Sequence, residues 1–570
     1  MLSSYRPYIL KIVLSNKKNQ RKSYREISFI RLAYQNILLL RERERNRLWV
    51  WRKGEIIMTI IKSISYALLV LYAALAYSQE SFSTLSEAGI HQFVKSRSPI
   101  QRGRDIWLKN TYGGEKFFAF LSAHPDPAKR INVGYKNVIT TPRNQRFQVW
   151  GTINDPDCQA NAAGGPDLCA DPNATGVIGI RKFPGPEGTR LYGVSCASCH
   201  VGFDPLHPPT DVNEPGWENI HLTVGNQHLK SGKIIAANLP ANDPRRFMFE
   251  SWPDGSVDTT ALFTDHIMNP TVITQIWDLR HRLTFDVGLD KPKLRMGHGG
   301  EDDLGLDVAA TRVYTNLGVC FAECVAPRPD RPDATAPIDL EQCRNDCADL
   351  PPETDIDKLG KFLLSIKAPK FPAFPTNFRL FVQGRKLFKD NCASCHTLKG
   401  KGGRVLSNDE VNPLVTDPDN APNACRALST QWEADHLWAE FSSHVYKDRA
   451  LAGLKGYRTK PLSGVWATAP FLHNQSVGPY ASANAGPGEL AEAYEAAMQE
   501  LLSANRPPKI NTLPVAVGPF PAGTPLTFVF SRDPTGKLLC NDVVENRGHH
   551  YGAELFNEEK RALIYWLKHQ

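Results

Sequence analysis

Cys196-Ala-Ser-Cys-His200 and Cys392-Ala-Ser-Cys-His396 are two copies of one pentapeptide in a chain of 570 residues. The spacing C-x-x-C-H suits covalent haem attachment: the two thiols reach the two vinyl groups, and the adjacent imidazole reaches the iron. Each copy predicts one covalently bound c-type haem. Cys196, Cys199, Cys392 and Cys395 are then the attachment points, and His200 and His396 the proximal iron ligands. A zinc half-site would need a second cysteine pair nearby, and a thioredoxin-like redox pair has no need of the following histidine.

Reading outward from the second copy, Phe378, Phe381, Gly384, Leu387 and Phe388 describe an amphipathic helix that delivers Cys392 at its C-terminal end. The chain closes on another helix, with Asn557 as cap, Glu558 and Glu559 in the first turn, and Leu563, Trp566 and Leu567 on an apolar face. Two helices flanking one haem, with long loops between, describe a cytochrome c fold. Gly103, Ile106 and Trp107 repeat this logic far upstream of the first motif, and no additional repeat is evident. Leu359, Phe362, Leu363 and Ile366 form a helical stripe that stops before Pro369. Ala368-Pro-Lys-Phe-Pro-Ala-Phe-Pro375 then reads as a stiff connector. The expected fold is mainly α, with two cytochrome c-like haem domains and long loop-rich insertions, one over 79–370 and one over 371–570.

The formal charge of +8 points to a basic protein, but residues 1–57 hold 14 Lys and Arg against four Glu. That segment is +10, which leaves 58–570 at −2 and removes the case for a nucleic-acid partner. From Met58 the chain reads as a signal peptide: Lys62 as the charged start, an apolar core over 64–75 and Ala76-Tyr77-Ser78 as the cleavage site. A periplasmic or secreted location is expected, with residues 58–78 removed and 1–57 a non-native upstream extension. The apolar core is too short to predict a stable membrane span.

Export suits the cysteines. Beyond the four in the motifs there are eight, an even number that favours four disulfides in an oxidising compartment. Cys158 and Cys169 bracket a Gly-, Asp- and Asn-rich loop within an irregular stretch over 125–186. Cys320, Cys324, Cys343 and Cys347 fit two short stapled helices, with a structural zinc site as the alternative, and Cys425 with Cys540 remains by elimination. Asp155, Asp157, Asp167 and Asp171 make calcium a candidate ligand of the irregular stretch.

The sixth iron position decides function, because a strong protein ligand makes an electron-transfer haem and an open one can meet oxygen or peroxide. For the second haem His549 is favoured, in Arg547-Gly-His-His-Tyr-Gly552, with His550 as second choice and surface loop histidines as the competing reading. His473 is a further candidate, as a ligand or as a partner of a haem propionate or of another ligand. No distal ligand stands out for the first haem. His221 and His228 follow its motif and read equally as ligands, acid/base groups or structural residues.

Three stretches carry a family resemblance: the paired C-x-x-C-H motifs; Asn269-Pro-Thr-Val272 followed by Phe285-Asp-Val-Gly288; and Trp466-Ala-Thr-Ala-Pro-Phe-Leu-His-Asn-Gln-Ser476. Over residues 95–570 the chain resembles the bacterial di-haem cytochrome c peroxidase and MauG superfamily. The 196-residue separation of the motifs, the large first domain and the Gly-His-x-Tyr-Gly run look most like its rubber oxygenase branch. The resemblance implies an oxygen-binding N-terminal haem on His200, and a bis-histidine C-terminal haem on His396 and His549. Where the superfamily's peroxidases carry a tryptophan between the haems, this chain reads Thr284-Phe285-Asp286, so Trp277 or Trp466 is left to bridge unless both are simply core.

The expected function is that of an exported di-haem oxidoreductase. It would activate oxygen or hydrogen peroxide at the N-terminal haem and transfer electrons through the C-terminal one. A peroxidase version needs a small electron-donor cytochrome or cupredoxin; an oxygenase version needs a hydrophobic organic substrate. The alternative is a non-catalytic di-haem electron carrier with both irons six-coordinate.

Overall fold

The computed structural model describes residues 98–258 (save 125, 128 and 129), 265–278, 353–396, 425–426, 428–429 and 462–570. It adds the backbone of short strands at 283–284, 293–294, 304–305, 405–407 and 456–458. The expected extension, the signal segment, the cysteines at 320, 324, 343 and 347, and Phe285-Asp-Val-Gly288 lie outside the described residues.

Two helix crossings frame the molecule. Helix α1 (Pro99–Lys109) starts at a capping box, in which the Ser98 hydroxyl accepts from Gln101 N and Gln101 Oε1 accepts from Ser98 N. It buries Gly103, Ile106 and Trp107 against helix α2 (Glu353–Ser365), whose Leu359, Phe362 and Leu363 are buried in turn. Helix α3 (Phe378–Asn391) is capped by Asn377, whose side chain accepts from Leu380 N. It packs on the closing helix α5 (Asn557–Lys568), while α4 (Pro487–Leu501) adds the buried Tyr494 and Met498 to the same core.

The two crossings correspond position by position. A Cβ at Gly103 would lie 2.1 Å from the Lys358 carbonyl oxygen and 2.7 Å from Phe362 Cβ. A Cβ at Gly384 would lie 2.0 Å from the Ala562 carbonyl oxygen and 2.6 Å from Trp566 Cβ. In sequence this is Gly103-Arg-x-Ile-Trp107 over Leu359-x-x-Phe-Leu363, and Gly384-Arg-x-Leu-Phe388 over Leu563-x-x-Trp-Leu567. The repeat expected from Gly103, Ile106 and Trp107 thus extends to the partner helix of each crossing: glycine lets the backbones meet, and the aromatic residues fill the space on either side.

Between the crossings, small antiparallel sheets hold the chain. β1 (Ile180–Pro184) pairs with β2 (Arg190–Val194), β3 (Gly202–Phe203) with β4 (Ile220–His221), and β5 (Ser256–Val257) with β6 (Thr271–Val272). The stretch over 125–186 is more ordered than its composition suggests. It holds short helices at Tyr135–Thr140 and Arg143–Trp150, because Val138, Ile139, Phe147 and Trp150 are buried. Disulfides join Cys158 to Cys169 and Cys425 to Cys540, as expected. Leu513 and Leu526 from the C-terminal half sit in the core built by Val138, Trp150, Ile180 and Phe249, so the halves share packing. Among the described residues no helix is long and apolar enough to cross a membrane.

Replacing Gly384 with valine forces α3 from α5 and should lower stability by roughly 1–3 kcal/mol, as overpacking does. Thermal or urea denaturation of the haem-loaded protein reads this, and an unchanged midpoint would contradict the close approach.

Candidate functional site

Both motifs fold as the same turn. Cys199 N and His200 N donate to the Cys196 carbonyl, and Cys395 N and His396 N to the Cys392 carbonyl. The first turn is pinned from both sides: the Ser195 hydroxyl donates to Leu108 O at the end of α1, and Gly179, at φ +81°, passes against Ser198 where a Cβ would lie 2.1 Å from its nitrogen. The second turn continues α3, since Cys392 N donates to Phe388 O. None of the four motif thiols is disulfide-bonded. Burial raises Cys199 and pushes Cys392 up to about 11, the reverse of what a reactive C-x-x-C pair needs.

At the first motif His200 Nδ1–H donates to the Thr274 carbonyl at 2.8 Å. That bond fixes the tautomer with Nε2 unprotonated and orients the ring, as a proximal iron ligand requires. The Trp107 ring lies 6.0 Å away, tilted by 51°. The two histidines that follow are engaged elsewhere. His221 Nδ1 accepts from Thr223 N, its ring packs edge-on to Trp277 at 5.9 Å, and it shares a backbone hydrogen bond with Lys367. His228 packs on Phe147 at 5.6 Å. Burial lowers both imidazoles from their ordinary range.

At the second motif the ring centroids of His396 and His549 are 6.2 Å apart. Axial bonds of about 2 Å on each side of an iron, plus ~1.1 Å from each nitrogen to its ring centre, give about 6 Å for two trans imidazoles. The pair therefore fits a haem iron between them. Burial first, then the adjacent His396, brings His549 down to about 4, which keeps it neutral as a ligand must be. His549 Nδ1 is buried without a hydrogen-bond partner. The ring is aimed by left-handed backbone at Gly548 (φ +90°) and at His549 itself (φ +51°). His550, the second choice, is exposed. Phe388, Leu502 and Leu563 belong to the apolar core on which Cys392 and Ala393 pack.

His473 lies elsewhere. It lines a cavity with Asn269, Asn474, Asp542, Glu545 and Arg547, and its carbonyl accepts from Val272 N at 2.6 Å. Burial pushes Asp542 up to about 6 and Glu545 up to about 7. The calcium candidates are also committed to other partners. Asp167 takes Arg143 and Arg146 at 2.8 Å, all three side chains buried, and Asp171 takes Arg181 at 2.8 Å and Lys109 at 3.2 Å. Against the upward push of burial, those cations hold Asp171 at about 2. Asp157 accepts from the Trp217 indole. Among the described residues no group of three or more His, Cys, Asp or Glu is placed to hold a metal ion. Arginines three apart on one short helix claim the buried carboxylate that a cation would need.

Sequence reasoning missed Thr274, which acts through a carbonyl and leaves no side-chain signal. It also missed Asn474, Ser476 and Arg506, which hold the loop of His549; two of these sit inside the quoted run 466–476. Replacing His549 with alanine should convert the second haem from a bis-histidine low-spin form to a high-spin or water-ligated one, read by absorption and EPR. Retention of the bis-histidine spectrum would refute the pairing.

Comparison with known proteins bears on a short part of the chain. Residues 456–480 match the family described as RoxA-like, cytochrome c-like. An uncharacterized protein, y4iM, of Sinorhizobium fredii (strain NBRC 101917 / NGR234) is 28% identical over 162 residues. That alignment covers 24% of this chain and 36% of the relative, so the chain spans about a third of the protein it matches. The matched family supports a RoxA-like c-type cytochrome, and with it c-type haem and haem-oxidoreductase chemistry in general.

Proposed function

We propose that this chain is an exported di-haem c-type cytochrome oxidoreductase whose two irons have unequal tasks. The observation that carries the proposal is the pairing at the second motif: His396 faces His549 across 6.2 Å, while the histidines that the sequence offers to the first, His221 and His228, bond Thr223 N and pack on Trp277 and Phe147. The position-by-position match of the α1–α2 and α3–α5 crossings supports one haem domain around each motif. Haem bound at each would supply electron storage at His396 and activation of oxygen or hydrogen peroxide at His200.

The protein's own part follows from its contacts. Thr274 holds the His200 tautomer, and His549 closes the second site to external ligands. Trp277, 2% exposed, begins three residues after Thr274, donates to Ser463 O at 2.9 Å and packs on Gly464. It links the two halves and is the better placed of the two tryptophans for a relay. Trp466 is fully buried, with its indole on Pro369 O. The RoxA-like match favours the oxygenase version, in which a hydrophobic substrate with a carbon double bond is attacked at the first site.

An aerobic absorption spectrum of the purified protein, followed by peroxide with and without a reduced donor, tests this reading. A high-spin or oxygenated component from one haem is expected. Purely low-spin iron that ignores oxygen and peroxide would leave only the electron carrier. Trp277→Phe should preserve both haem spectra and slow electron exchange between the irons in stopped-flow reduction; an unchanged rate would remove the relay.

A further inference from the structure

The run that matches the family contains a turn with an unusual backbone. Leu472 (φ +67°) and Gln475 (φ +57°) both take the left-handed conformation that side chains other than glycine rarely adopt. Such outliers persist where the surroundings over-determine them, and here they bracket His473 and Asn474. Gln475 is fixed in turn by donating to Asp254 O at 2.7 Å.

Asn474 is 6% exposed, and its carboxamide nitrogen donates both to the Glu545 carbonyl at 2.9 Å and to Glu545 Oε2 at 2.7 Å. The Ser476 hydroxyl donates to the same Glu545 carbonyl at 2.8 Å. Glu545 opens the five-residue path Glu545-Asn-Arg-Gly-His549, whose far end is held by Arg506 donating to the carbonyls of Gly548 and His549. Between these ends Asn546, 3% exposed, accepts from Lys509 N at 2.9 Å and donates to Pro507 O at 2.8 Å, and glycine at 548 leaves the last step to His549 free to turn. A ligand on such a path reaches its position only if the near end is anchored.

We propose that Asn474 is the positioning residue for the distal ligand of the second haem: its carboxamide anchors Glu545, so that His549 meets the iron opposite His396. This rests on the reading of His549 as that ligand. It gives the matched run a physical task, because its strained turn serves a histidine more than seventy residues later in the chain.

The test compares haem-loaded wild type, Asn474→Ala, Asn474→Ser, His549→Ala and Asp533→Ala by low-temperature EPR and by the midpoint potential of the second haem. Haem content is checked by pyridine haemochrome. Asn474→Ala should keep both covalent haems, lose part of the low-spin bis-histidine signal to a high-spin form and shift the potential. Asp533→Ala, which loosens the turn that Asp533 holds through Thr535 and Lys537 in the same half and touches neither α3 nor the 545–549 path, should keep the wild-type signal. If Asn474→Ala does not fold, Asn474→Ser is judged by the same spectrum. A wild-type EPR signal and potential in the folded Asn474 variant would overturn the proposal, as would equal loss of signal in Asp533→Ala. Should His549→Ala itself retain the bis-histidine signal, the ligand reading fails first and this proposal with it.

Discussion

An iron held between two imidazoles leaves little freedom: each ring must stand about 2 Å from the metal, on opposite sides. On the proposed reading, the C-terminal half is organised around that constraint. One ring, His396, is set by the covalent motif at the end of α3, and α5 and α4 brace that helix through Ala562, Trp566 and Tyr494. The other, His549, comes from a loop without regular structure, held by hydrogen bonds to backbone carbonyls at both ends of the 545–549 path and by Asn546 between them. The first ring is held by packing and the second by polar contacts, so the second is the more easily displaced.

The first motif shares the turn and the helix crossing. His200 is oriented by a carbonyl from the segment after β6, while His221 serves β4 and His228 the Phe147 wall. On the proposed reading, two unequal haem sites share one design and need no new fold. Residues 131–273 enlarge the first half, and Leu513, Leu526 and Val529 from the second half pack into it, so the reactive site proposed there is built on a core contributed by both.

Much of this was legible in the sequence, for local reasons. The motifs are short and spaced by covalent chemistry, and α2, α3 and α5 follow from apolar periodicity over three turns or more. The glycine-centred repeat was also legible, in Gly-Arg-x-(Ile/Leu)-aromatic and Leu-x-x-aromatic-Leu, once the two crossings could be laid side by side. His549 stood out because it precedes the closing helix. What stayed hidden depends on distance along the chain: the Thr274 carbonyl under His200, Asn474 on Glu545, and the two arginines on Asp167. The helices within 125–186 were hidden for a different cause, being too short for periodicity to outweigh their proline- and glycine-rich surroundings.

The most direct measurement of unequal irons is the carbon monoxide stoichiometry of the fully reduced protein, read from the haem absorption during titration. The account predicts one carbon monoxide per chain, with the second haem remaining six-coordinate. Binding at neither haem would contradict an open first site, and binding at both would contradict His549 as a ligand.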